Sequence, residues 1–134
     1  MSNDQQKKIL VIEDDSFLSD LITRKFSAAG YAVFVAATGE EGIEQALAER
    51  PALILLDLVL PGVSGFDVLR KLRHSDATAN TSILIASNLS FRDAKKQMPE
   101  IESVPYIVKA ESTPQKILEA VEACLRTGSS PAAA

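Results

Sequence analysis

Lys8-Ile9-Leu10-Val11-Ile12-Glu13-Asp14-Asp15 passes from four consecutive apolar residues straight into three carboxylates. The apolar part reads as a buried strand. Like charges crowded at its end repel one another, so the arrangement is costly unless something cationic sits there. A second stretch repeats the pattern: Leu53-Ile54-Leu55-Leu56 is apolar at every position and ends in Asp57. A strand of that kind is expected where helices cover both faces of a sheet.

Working outward from these two runs, helical and extended patterns alternate. Leu18, Leu21, Ile22 and Phe26 recur at helical spacing from Phe17 onward, and Gly30 is placed as a helix stop. Tyr31 to Ala36, β-branched and aromatic, reads as the second strand. Thr38-Gly39-Glu40-Glu41 has capping-box spacing and opens a helix with Ile43, Ala46 and Leu47 inward, ending before Pro51. Ser64 is placed to cap a third helix that holds Phe66, Val68, Leu69 and Leu72. Ser82 to Ala86 is the fourth strand, and Phe91 to Met98 a short helix closed by Pro99. Val104 to Val108 is the fifth strand; Pro105 has no amide donor, which predicts a place at the sheet edge. Thr113-Pro114 then supplies an N-cap and a first helical residue for a helix with Ile117, Leu118, Val121, Cys124 and Leu125 inward. Five strands alternating with five helices predict an α/β doubly wound parallel sheet, wrapped on both faces.

Composition narrows the classes. At 134 residues the chain is one domain's worth, and a net charge of −4 without a basic cluster argues against nucleic acid as its main partner. The longest apolar runs, such as Ala52 to Leu56, are too short to cross a bilayer, and the N-terminus lacks the apolar core of a signal peptide. The one cysteine, Cys124, cannot form an internal disulfide, which fits a reducing compartment. A cytoplasmic domain without a membrane role is the resulting expectation.

In a parallel sheet, functional groups gather at the carboxyl ends of strands. Those ends carry Glu13, Asp14 and Asp15, then Asp57, Ser87 and Lys109. Hard carboxylate oxygens are what Mg²⁺ prefers, an aspartate can itself be a nucleophile, and a lysine and a hydroxyl suit phosphoryl oxygens. The set points to phosphoryl transfer. Taken singly, each residue has a plainer reading: a solvated helix start, a turn, a cap or a loop lysine.

From about Lys7 to Arg126 the chain resembles the receiver domain of two-component response regulators. The motifs are Ile9 to Asp15, Leu56-Asp57-Leu58-Val59-Leu60-Pro61-Gly62, Ser64 to Leu69, Ile85-Ala86-Ser87 and Tyr106-Ile107-Val108-Lys109, all in order. The resemblance implies strand order 2-1-3-4-5, with residues 1–6 as an extension and 7–127 as the receiver; residues 128–134, with nothing to bury, are expected to form a disordered tail. It implies that Asp57 accepts a phosphoryl group from a histidine kinase or histidine phosphotransfer protein. Asp14, Asp57 and the backbone carbonyl of Val59 would ligate Mg²⁺, with Glu13 acting through water. Ser87 would shift on activation, Tyr106 turn inward behind it, and Lys109 bind a phosphoryl oxygen. The face made by the fourth helix, fifth strand and fifth helix would then change its affinity for a downstream protein. With no output domain after Arg126, a stand-alone phosphoacceptor, not a multiple-turnover enzyme, is expected.

The chain departs from the family pattern in three places. Lys109 is followed by Ala110 where proline is usual, so a trans bond is expected there. Asn88 replaces a small residue beside the site, and Ser103-Val104-Pro105 replaces a Gly-Ala pair. Val59 and Leu89, which match positions flanking the phosphoryl group, are apolar and cannot hold an attacking water, an argument for slow self-dephosphorylation. Three alternatives stand beside this reading. A degenerate receiver would act as a docking module without phosphate. An aspartate-nucleophile phosphatase would want a second aspartate where Val59 stands. A flavodoxin-like cofactor binder would want a phosphate loop where Glu13 to Ser16 stand.

Overall fold

A computed structural model describes residues 6–127. The tail expected at 128–134 and all but the last residue of the expected extension lie outside the described residues. Strands and helices alternate: β1 Lys8–Ile12, α1 Ser16–Ala28, β2 Ala32–Ala36, α2 Gly39–Glu49, β3 Leu53–Leu56, α3 Gly65–Arg73, β4 Ser82–Ser87, α4 Phe91–Gln97, β5 Tyr106–Val108 and α5 Pro114–Arg126. Short 3₁₀ turns occupy Pro99–Ser103 and Lys109–Glu111. The five strands form one parallel sheet in the order β2-β1-β3-β4-β5, as expected.

Alternation along each strand divides the core into two layers. Leu10, Ile12, Ile54, Leu56, Ile83 and Ile85 face Val68, Leu69, Leu72 and Ala46 on one side. Ile9, Val11, Leu53, Leu55, Leu84 and Ala86 face Ile22, Phe26, Ile117 and Val121 on the other. Central strands apolar at every position are thereby explained, since neither face meets water. Among the described residues no helix is long and apolar enough to cross a membrane.

Helix starts follow the side chains that satisfy their free amides. Asp15 Oδ1 accepts from the amides of Phe17 (3.0 Å) and Leu18 (3.2 Å) and so opens α1. Thr38 caps α2 through the Glu41 amide, and Glu41 reaches back to the Ala37 amide, one residue before the capping threonine. Ser64, Ser90 and Thr113 cap α3, α4 and α5 in the same way.

Two expectations need correction. Leu47 was assigned to the inner face of α2 but is 42% exposed. The inner stripe is instead Gly39, Gly42 and Ala46, because α2 lies so close to β1 that a Cβ at Gly42 would strike the Ile12 side chain. The fifth strand is shorter than Val104 to Val108. Pro105 O accepts from the Ile85 amide, so residue 105 faces β4, where its missing donor ends the ladder and leaves only Tyr106–Val108. Cys124, expected on the inward stripe of α5, is half-buried and packs against the second core layer.

Candidate functional site

Glu13, Asp14, Asp57, Ser87 and Lys109 all follow or close strands at the carboxyl rim of the sheet. Asp57 continues the β3 ladder by one bond, its amide donating to Ile12 O at 3.1 Å, and the Glu13 amide likewise donates to Ala36 O at 2.9 Å. These bonds fix both carboxylates relative to the sheet. The chain can turn from Asp57 into α3 because residue 65 is glycine. A Cβ there would run into the Asp57 carbonyl and the Leu58 Cα. Gly62, in the same loop, adopts φ +73, a conformation that favours glycine.

Lys109 is the cation that the opening run of acids demanded. Its Nζ lies 2.7 Å from Glu13 Oε1 and 2.8 Å from Asp57 Oδ2. The three side chains are 12%, 5% and 5% exposed respectively. The other oxygen of Glu13 accepts from the Asp15 amide at 3.0 Å, and Asp57 Oδ1 accepts from the Val59 amide at 3.1 Å. Burial pushes the Glu13 carboxyl above its ordinary range, against the pull of Lys109 and the Asp15 amide. For Lys109, burial works downward, but the hydrogen bonds to Asp57 and Glu13 win and raise it.

Asp14 stands differently: it is exposed, on the same rim. Carboxylate oxygens of Glu13, Asp14 and Asp57 lie within 4.8 Å of one another. Three hard oxygen donors, one of them open to water, fit a small divalent cation that keeps part of its hydration shell. Asp14 carries no side-chain hydrogen bond among the described residues and is free to ligate directly, whereas both oxygens of Glu13 and both of Asp57 are engaged, by Lys109 and by the Asp15 and Val59 amides. Asp15 is turned away into the α1 cap, which separates the three acids of the opening run by task.

Ser87 is fully buried at the end of β4, and its Oγ accepts from the Leu89 amide at 3.3 Å. Tyr106, on β5, donates its hydroxyl to Leu89 O at 2.5 Å. Burial, then the nearby charge of Asp57, raises its phenol. Ser87 and Tyr106 are therefore joined through one residue of the β4–α4 loop. Ser90, not Ser87, caps α4. The Val59 side chain is 61% exposed beside the acids, and Asn88 is exposed on the same loop as Leu89. The described residues contain no cis peptide, so Lys109–Ala110 is trans as expected, and Lys109 reaches both acids nonetheless. One contact escaped the sequence: the Phe91 ring stands edge-on to Tyr106, centroids 5.4 Å apart. Its place in the first turn of α4 gave no signal of that.

Comparison with known proteins follows the same line. The family model described as the response regulator receiver domain matches residues 9–122. Over 119 residues the chain is 37% identical to the DNA-binding dual master transcriptional regulator RpaA of Synechocystis, covering 89% of this chain and 49% of that protein. It is 33% identical over 120 residues to the alkaline phosphatase synthesis transcriptional regulatory protein PhoP of Bacillus subtilis, covering 90% and 49%. The chain thus spans about half the length of these curated relatives. Among solved structures, the BeF3-activated N-terminal receiver domain of Klebsiella pneumoniae RstA superposes with TM-score 0.78 at 28% identity, covering 90% of this chain and 99% of that one. A CheY-like receiver domain protein from Methanospirillum hungatei, at 24% identity, shares the fold with TM-score 0.82, covering 92% and 96%.

Proposed function

The chain belongs to the response regulator receiver domain family, and on that premise we propose that Asp57 accepts a phosphoryl group from a histidine kinase or histidine phosphotransfer protein. The observation that carries this reading is the Lys109 ammonium bridging Asp57 Oδ2 and Glu13 Oε1 beside the exposed Asp14. An Asp57 oxygen forms the bond to phosphorus as the donor's bond to phosphorus breaks. Lys109 is placed to move from the carboxylate to a phosphoryl oxygen, and the Val59 amide holds the Asp57 oxygen that does not react. Mg²⁺ bound by Asp14 and Asp57, with the Val59 carbonyl and with Glu13 through water, would neutralise charge on the transferring group.

Ser87 supplies a hydroxyl that can turn from the Leu89 amide to the phosphoryl group. That turn would loosen the loop whose carbonyl holds Tyr106, and so alter the face of α4, β5 and α5 toward a downstream protein. The domain is then a phosphoacceptor acting by protein contact, in the cytoplasm with its kinase, and not a multiple-turnover enzyme. The curated relatives are named as transcriptional regulators, so the expectation of a stand-alone module without nucleic acid finds no support in them. Exposed, apolar Val59 gives no anchor for a hydrolytic water, which supports slow self-dephosphorylation; phosphate release no slower than from a Val59→Asn variant would refute this. Incubation with acetyl phosphate and Mg²⁺ followed by intact mass tests the main proposal. One phosphoryl adduct is expected on the chain and none on Asp57→Ala; an adduct that persists in the variant overturns it.

A further inference from the structure

The ladder between β4 and β5 uses only one edge of β5. Pro105 O accepts from the Ile85 amide at 2.9 Å, and Ile85 pairs with Tyr106. Backbone groups alternate along a strand, so Ile107 turns toward β4 while Tyr106 and Val108 turn outward. Ser112 Oγ donates to Val108 O at 3.1 Å. The Tyr106 amide and carbonyl and the Val108 amide are left facing a groove of about 490 Å³ lined by Phe91, Val104, Tyr106, Glu111 and Ser112, among others.

We propose that this edge is a strand-addition site, taking an extended segment of a partner protein that pairs with Tyr106 and Val108. Glu111 is the one charged residue among those lining the groove, and it is exposed. Charge complementarity therefore selects a segment with a lysine or arginine opposite Glu111 and a β-branched residue against the Phe91 and Tyr106 rings. Main-chain pairing supplies affinity in this mode, and alternate side chains supply choice of partner. Three paired residues bury far less than a standard interface, so binding is weak and reversible. The groove is joined to the proposed phosphoryl site through Tyr106, Leu89 and Ser87. Control of pairing by phosphate rests on the phosphoacceptor reading; the pairing itself does not.

The probe is a blocked heptapeptide alternating valine with lysine, together with two twins N-methylated on one or the other alternate set of residues. Amide hydrogen exchange is followed at Tyr106 and Val108, with the Ile107 amide, already in the ladder, as internal control. With peptide, exchange at Tyr106 and Val108 is expected to slow while Ile107 is unchanged. One N-methyl twin should lose about tenfold in affinity or more, as loss of at least one hydrogen bond requires, and the other should bind as the parent does. Glu111→Gln should weaken the parent peptide. Twins that bind alike, binding without slowed exchange, or no binding at millimolar peptide to either form of the protein would overturn the proposal. Intact mass on the same acetyl phosphate-treated samples separates the two claims. Slowed exchange in a protein that takes no phosphoryl group leaves the strand site standing and removes only the phosphoacceptor reading.

Discussion

Replacing Lys109 with methionine removes the cation from between two nearly buried carboxylates. The oxygens of Glu13 and Asp57 lie within 4.8 Å, so at an effective dielectric of 20 their bare repulsion is about 3.5 kcal/mol. Stripping one partner from a buried pair costs ~3–5 kcal/mol in general. The rim is open to water on the Asp14 side, so we expect ~2–4 kcal/mol for Lys109→Met. For a domain of this size that lowers Tm by roughly 8–16 °C. Glu13 carries a raised pKa even with Lys109 present, and losing the lysine raises it further. A carboxyl raised in the folded state contributes stability below its unfolded pKa and loses it as pH climbs through the folded value. The deficit of the variant relative to the wild type should therefore widen as pH rises from the unfolded carboxyl value near ~4.3 toward neutrality. Millimolar Mg²⁺ should restore more Tm to the variant than it adds to the wild type, because a cation then replaces the lost ammonium. Thermal unfolding followed by circular dichroism across that pH range, with and without Mg²⁺, measures all three effects. A Tm loss under 2 °C that is flat with pH would refute the claim that Lys109 neutralises this acid pair.

The N-cap assignment separates Asp15 from the metal site. Asp15→Ala should cost about 1 kcal/mol in urea unfolding while leaving phosphoryl incorporation on the protein unchanged. Gly65→Ala should cost more than ~3 kcal/mol, since its Cβ would strike the Asp57 carbonyl; a Tm within 3 °C of the wild type would contradict the packing. At alkaline pH, Lys109 is held above its ordinary value by Asp57 and Glu13, which outweigh burial. Its stabilisation is complete below the unfolded value near ~10.4 and is lost as pH rises through the folded value. The wild type should therefore converge on Lys109→Met in Tm above that pH.

Most of the fold could be read because the decisive signals are local. Leu53 to Leu56 has no polar position to put toward water, and each helix start carries its own capping side chain. The inner face of α2 could not be read in the same way. Its close packing on Ile12 selects Gly42 and Ala46, and a hydrophobic pattern favours Leu47 over both. Pro105 gave the right place for β5 for an incomplete reason. Its missing donor faces the sheet, so it shortens the strand as well as marking the edge. At the site, the resemblance named Glu13, Asp14, Asp57 and Lys109. The hydrogen bonds that divide labour among Glu13, Asp14 and Asp15 depend on side-chain directions that spacing does not specify. The Phe91–Tyr106 contact depends on the angle between α4 and β5, a tertiary quantity with no trace in either segment.

The central claim is that Asp57 carries the phosphoryl group. Sodium borohydride reduces an aspartyl phosphate to homoserine, so treatment of the acetyl phosphate-reacted protein followed by peptide mass mapping locates the modified residue directly. Homoserine at position 57, absent without acetyl phosphate, is the predicted result. An intact Asp57 with homoserine at position 14 or 15, or no conversion anywhere in a protein that has gained phosphoryl mass, would contradict it.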